Sequence, residues 1–373
     1  MKRFLGLSLA IGTAILAAST AHADIKIGVA GPLTGPNAAV GEQFRQGAER
    51  AAAHINKAGG IGGEKVVLIY GDDASDPKQG VSVANRFAAE GVSFVIGHYN
   101  SGVSIPASEV YAENGILQIT PGSTNPTYTE RQLWNTFRVC GRDDQQGAVA
   151  ARYMTDHFKG KKIAVLNDKT AYGVGIAQEV KKGLEAAQAK VAIDDSINVG
   201  EKDFSALVSK LKAAKIDVIY FGGLYTEAGL IVRQAADQGL KATLVAGDGI
   251  TSAEYAQIAG EAALGTLMTF APDPRIMPSA AKIVEEFRHD GFEPEAYTLY
   301  AYAALEIVKT GVEKAKSSEA SAVAEQLHDG KPVKTILGNI AFDKKGDRRD
   351  EDYAIYVWKK DDAGKISYEM TRK

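Results

Sequence analysis

Short β-branched runs alternate with stretches of helical periodicity from Ile25 onward, and after a break near Cys140–Gln146 the same alternation begins again. No other feature of the chain constrains its fold as strongly. A strand, a helix and a second strand in succession place the strands parallel and the helices on the faces of their sheet. Written twice in series, the pattern predicts an α/β chain of two doubly wound parallel-sheet lobes. Strands are expected at Ile25–Ala30, Val66–Tyr70, Phe94–Gly97 and Ile116–Thr120, then at Lys161–Asn167, Val191–Ile193, Asp217–Gly222 and Thr243–Ala246. One intervening helix runs through Phe44, Ala48, Ala51 and Ile55; another starts at Asp76-Pro77, a cap followed by proline at the first helical position. In the second half helices are expected to about Ala187 and to about Gln238, with another capped at Asp203. Thr251 and Glu254 have the spacing of a capping box, and Phe292–Lys309 reads as a strong helix. Ile336–Phe342 and Tyr353–Trp358 read as closing strands, and the charged segment from Asp343 to Asp352 between them as a solvated turn.

The first residues set the compartment. Lys2 and Arg3 precede an apolar run from Phe4 to Ala18, and Ala21-His22-Ala23 fits a secretory cleavage site. Those 15 residues fall short of the roughly 20 needed to span a bilayer. No cysteine follows the run, which argues against a lipid anchor. The expectation is a signal peptide over 1–23, cleaved after Ala23, and an exported soluble protein. Outside the cytoplasm ATP and nicotinamide cofactors are scarce. The 373 residues suffice for two domains with their own cores, and 43 Lys+Arg against 46 Asp+Glu, with no basic block, leave no footprint for nucleic acid. Cys140, the single cysteine, can neither close an intrachain disulfide nor build a cysteine metal site.

In open parallel sheets ligands bind beyond the carboxyl ends of the strands, so two lobes facing one another form a cleft suited to a small molecule. Catalytic signatures are missing from the sequence. There is no G-x-S-x-G, no G-x-x-x-x-G-K-[ST] and no H-E-x-x-H, and Gly173-Val174-Gly175 lacks the third glycine of a dinucleotide loop. The six histidines are scattered, and Asp72-Asp73 is most simply a turn at a strand end. The weight moves from catalysis to binding, with neither cofactor nor metal expected.

The segment Ile25-Lys26-Ile27-Gly28-Val29-Ala30-Gly31-Pro32-Leu33-Thr34-Gly35-Pro36 resembles the opening of the periplasmic branched-chain (Leu/Ile/Val) amino-acid-binding proteins that serve ABC importers. Further blocks agree in order: Ala58 to Gly63, Asp72 to Gln79, Val95 to His98, Pro106 to Ser108, Ile119 to Pro121, Asp168 to Gly173, Gly200 to Phe204 and Gly346-Asp347. The resemblance implies a type I periplasmic-binding-protein fold, two lobes joined by three crossing strands. Lobe 1 would take 24–142 and 272–350, and lobe 2 would take 143–271 and 351–373. The crossings would fall near Gly141–Asp143, Ala271–Asp273 and Asp350. It implies a monomeric receptor in the periplasm that delivers a free amino acid to a membrane permease.

A buried zwitterion needs donors for its carboxylate, acceptors for its ammonium and a shaped wall for its side chain. By resemblance Ser101, at the start of a helix, and Thr124 would hold the carboxylate; a plain helix cap is the alternative for Ser101. The ammonium would meet Asp248, the Gly122 carbonyl and Thr124. Tyr99, Tyr172, Leu224 or Tyr225, and Tyr297 would form the wall. The chain departs from the family at several points: Asp248 replaces a common glutamate, Val40 a common tyrosine, and Ser75 and Asn100 a cysteine pair. Those departures, with Tyr99 and Tyr297, widen the expected ligands from Leu/Ile/Val to alanine, proline, threonine or γ-aminobutyrate. A receptor of the same fold for aliphatic amides or urea, an exported hydrolase and a ligand-sensing module are the rival readings.

Overall fold

The computed structural model describes residues 24–349 and 353–371. The expected signal peptide and the third crossing near Asp350 lie outside the described residues. Strands β1 (Ile25–Gly31), β2 (Val66–Asp72), β3 (Phe94–Ile96), β4 (Leu117–Thr120) and β5 (Thr136–Arg138) form a parallel sheet in the order β2-β1-β3-β4-β5. A second sheet starts with β6 (Ile163–Asn167), β7 (Val191–Ser196), β8 (Val218–Gly222), β9 (Thr243–Ala246) and β10 (Leu267–Phe270), all parallel. After a separate hairpin of β11 (Val333–Thr335) and β12 (Gly338–Ile340), β13 (Ala354–Lys360) and β14 (Ile366–Met370) join the second sheet antiparallel, beyond β10. Its order is β14-β13-β10-β9-β8-β6-β7. The fold is thus two α/β lobes, the second extended by an antiparallel edge.

Strand alternation in β1 shows how helices cover both faces of the first sheet. Ile27 and Val29 pack into a cluster with Phe44 from the helix Ala38–Lys57. Ala30 packs into another with Phe87 and Tyr111, from the helices Pro77–Ala89 and Ser101–Glu113. The helix Ala296–Ala315 returns to this lobe and lies along Ala38–Lys57, so close that a Cβ on Gly47 would stand 2.0 Å from the Thr298 carbonyl oxygen. Only glycine permits that approach.

Several sequence expectations are corrected. The long helix begins at Ala296, not Phe292, because Pro294 pushes the residue before it out of the helical region. Ile336–Phe342 is not one strand: Ile336 and Leu337 form the buried tip of the β11–β12 hairpin, apolar through packing rather than strand periodicity. The cap near 251 falls one residue later, where Ser252 Oγ accepts from the Glu254 N–H, while the Thr251 hydroxyl donates to the Asp248 carbonyl at 2.8 Å. The charged segment is not wholly solvated, since Asp347 is 4% exposed and accepts from Arg142 Nη1 at 2.5 Å and Thr129 Oγ1 at 2.8 Å. The Asp76 cap stands as expected, accepting from the Lys78 and Gln79 N–H groups at 2.7 and 2.9 Å, worth about 1 kcal/mol.

Candidate functional site

Strand order decides where a ligand can sit. In the first sheet β1 lies between β2 and β3, and in the second β6 lies between β7 and β8. At each reversal the following loops diverge and leave a crevice at the carboxyl ends of the strands. The two crevices face one another and enclose a cavity of about 330 Å³. The first lobe lines it with Ser75 and Pro77 after β2, Tyr99 to Val103 after β3, Gly122 after β4, and Tyr297. The second contributes Lys169 to Tyr172 after β6, Leu224 after β8, and Asp248 and Gly249 after β9.

The first wall is built of neutral groups. Ser101 is the first residue of its helix and is 1% exposed. The helix-cap alternative does not describe its hydroxyl, which accepts from the Asn125 N–H at 3.2 Å across to the neighbouring loop. Gly122 lets the backbone run beside an aromatic ring, because a Cβ there would stand 2.7 Å from Tyr99 Cδ2. Phe44, Tyr99 and Tyr297 form one edge-to-face group, with 5.4 Å between the Tyr99 and Tyr297 centroids.

The second wall is built around one carboxylate. Asp248 Oδ1 accepts from Gln146 Nε2 at 2.9 Å and from the Tyr172 hydroxyl at 3.0 Å; Oδ2 accepts from the Tyr297 hydroxyl at 3.0 Å. Burial raises the Asp248 pKa, and these three donors oppose the rise. Asp143 lies behind it, also raised, first by burial and then by the charge of Asp248, with Thr124 and Gln146 opposing. On the same lobe burial lifts Asp168 to about 6 against the hydrogen bonds of Thr170.

The Tyr297–Asp248 bond crosses the cleft, as do others at its rim. Asn125 Nδ2 donates to the Ala171 carbonyl at 2.7 Å, the Tyr225 hydroxyl to the Pro36 carbonyl at 2.9 Å, and the Ala253 N–H to Glu295 Oε2 at 3.1 Å. The lobes are closed on one another.

Of the residues singled out in the sequence, Tyr99, Ser101, Gly122, Tyr172, Leu224, Asp248 and Tyr297 come together on the cavity. Thr124 and Tyr225 do not line it. Thr124 is fully buried; its carbonyl accepts from the Asp143 N–H at 3.0 Å and its hydroxyl faces the Asp143 carboxyl. Leu224 takes the wall position, and Tyr225 reaches instead to the rim of the opposite lobe. Sequence reasoning missed Gln146, whose amide bridges Asp143 and Asp248 at 2.9 Å each and accepts from Thr269 Oγ1. Nothing local marks it, since its partners lie up to 123 residues away. Among the described residues no group of three or more His, Cys, Asp or Glu side chains could hold a metal, and no helix is long and apolar enough to cross a membrane.

Comparison with known proteins agrees with this architecture. The family model described as periplasmic binding protein matches residues 24–364. A protein of Brucella suis biovar 1 named Leu/Ile/Val-binding protein homolog 1 is 55% identical over 368 residues, 99% of either chain. The crystal structure of a leucine binding protein, LivK, from Thermotoga maritima superposes with a TM-score of 0.85 at 29% identity, over 92% of this chain and 97% of that one. The branched-chain amino acid transporter substrate binding protein LivJ of Streptococcus pneumoniae, solved with isoleucine, gives a TM-score of 0.82 at 26% identity, over 94% and 100%. The chain belongs to the periplasmic binding protein family, in the branch of its Leu/Ile/Val-binding homologues, and is a substrate-binding protein rather than an enzyme.

Proposed function

We propose that this chain binds a free α-amino acid by both of its charged ends in the interlobe cavity and hands it to an ABC import permease. One observation carries the reading: Asp248 on the second lobe and the Ser101 and Gly122 loops on the first line the same interlobe cavity. Ser101, at a helix N-terminus, receives the ligand carboxylate. Asp248 and the Gly122 carbonyl receive the ammonium, which supplies the counter-charge that burial withholds from Asp248. Thr124 supports the cradle from behind through Asp143. In this reading the protein is exported and cleaved after Ala23, works as a monomer in the periplasm, and divides into lobes at 142, 271 and 350.

The side-chain wall favours aliphatic ligands. Tyr172 and Tyr297 commit their hydroxyls to Asp248, so what they offer a ligand is ring surface, alongside Val103, Pro77 and Leu224. Leucine, isoleucine and valine fit that chemistry, and alanine, proline, threonine or γ-aminobutyrate complete the range worth testing. The relatives named above for Leu/Ile/Val, leucine and isoleucine support the same class. The test is a thermal-shift panel of the twenty amino acids, γ-aminobutyrate, aliphatic amides, urea and sugars, followed by titration calorimetry. A ligand at 100 times its Kd should stabilise by about 2.7 kcal/mol. Stabilisation by amides or sugars with none by amino acids would overturn the reading.

A further inference from the structure

His98 is fully buried and does not line the cavity, yet its bonds run to elements that do. Its imidazole Nδ1 lies 2.6 Å from Asp73 Oδ2; a carboxylate only accepts, so Nδ1 carries the proton. Nε2 lies 2.9 Å from the Tyr111 hydroxyl, and the two rings stack with centroids 5.9 Å apart. All three side chains are excluded from solvent. Asp73 Oδ1 meanwhile accepts from the Ser75 N–H at 2.8 Å, which fixes the turn after β2. The backbone of His98 reaches the other way. Its carbonyl accepts from Thr120 Oγ1 at 2.6 Å and Ser123 Oγ at 3.2 Å, on either side of Gly122. Thr120 Oγ1 in turn accepts from the Gly122 and Ser123 N–H groups at 3.2 and 2.9 Å.

We infer that His98, clamped between Asp73 and Tyr111, is the positioning residue of the first lobe's half-site: it holds the loops of Ser75, Ser101 and Gly122 in register before any ligand arrives. Every partner in the clamp belongs to the first lobe, so it persists when the cleft opens. The Asp248 site differs, since one of its three donors comes from across the cleft. With Cys140 the only cysteine, no disulfide can tie these loops, and the connection must be made by hydrogen bonds. A loop ordered in advance is not ordered at the ligand's expense, which raises affinity without a new contact. That the cradle serves an amino-acid carboxylate rests on the function proposed above; that His98 orders the loops does not.

The test compares wild type with Asp73→Asn and with the milder Tyr111→Phe, which keeps the stacked ring. Hydrogen exchange on the ligand-free full chain should quicken at 98–104 and 120–125 by roughly tenfold or more in Asp73→Asn, less in Tyr111→Phe, with 168–172 unchanged. Calorimetry with L-leucine, at a temperature where circular dichroism shows all three proteins folded, should give a Kd weakened by roughly tenfold in Asp73→Asn. Unchanged exchange in both loops, or an equal rise in both lobes, would overturn the inference. So would faster exchange with an unaltered Kd. Should the wild type bind no amino acid at all, the proposed function falls, and the exchange pattern alone decides the role of His98.

Discussion

The two walls of the cleft are built by different means, one from neutral groups and one around a buried carboxylate. In the proposed reading the first lobe would meet a carboxylate with neutral hydroxyls and amides spread over several loops, joined by hydrogen bonds within that lobe. The second would meet an ammonium with one buried carboxylate, Asp248, which accepts from a donor on the other lobe. The contrast follows from the backbone: N–H groups at a helix N-terminus are ready anion donors, whereas a cation site has only carbonyls and side-chain carboxylates to draw on. Binding strength should therefore be distributed in the first lobe and concentrated in the second.

The sharpest way to break this comparison is Asp248→Asn. Leaving a buried ammonium without its counter-charge should weaken amino-acid binding by about 2–5 kcal/mol in calorimetry. An unchanged Kd would remove Asp248 from the site. Ser101→Ala should cost less, about 1–3 kcal/mol, because the other donors of the cradle remain. A loss equal to that of Asp248→Asn would mean that the first wall is not distributed.

Acidity separates the walls next. Because burial raises the Asp248 carboxyl, protonation begins above the ordinary carboxylate range and affinity should fall as pH drops, by at most about 1.4 kcal/mol per unit. Stability of the ligand-free protein moves the opposite way. A carboxyl whose folded pKa is raised binds more protons folded than unfolded, so its contribution to stability rises as pH falls. For Asp168 that change should lie between about 6 and its ordinary 3.8, visible as the pH-dependent difference in denaturant stability between wild type and Asp168→Asn. A flat difference over that window would contradict the assignment.

The smallest effect tests the rim. Tyr225→Phe removes the bond to the Pro36 carbonyl and should cost about 0.5–1.5 kcal/mol, read as faster dissociation and equal for every amino acid bound. A loss that differed between leucine and alanine would instead place Tyr225 on the side-chain wall.

The loops that line the cavity were legible because most sit at strand ends that periodicity locates, whereas the choice of residues within them came from the family resemblance. Ser101 follows β3, Tyr172 follows β6 and Asp248 follows β9, and loops at those ends converge in any doubly wound pair of lobes. Adjacent residues were harder to tell apart. Leu224 and Tyr225 differ by one position at a helix start, and which of them enters the cavity depends on how the strand leads into the helix, information that no residue type carries. Thr124 lies off the cavity with its hydroxyl towards Asp143, a placement no residue type announces. Tyr297 was legible as an aromatic but not as a donor to Asp248, because its acceptor belongs to the other lobe.

The alternation of strand and helix, with its restart after residue 140, was enough by itself to determine two parallel-sheet lobes and a cleft, since hydrophobic period and chain order are local properties. What only the tertiary structure decided was the set of long-range bonds: Gln146 to Asp248 across 102 residues, His98 to Asp73 across 25, and Tyr297 to Asp248 across 49. A hydrogen bond depends on direction and on a few tenths of an ångström. Such precision arises only when separately folded elements pack, and it leaves no period in the sequence.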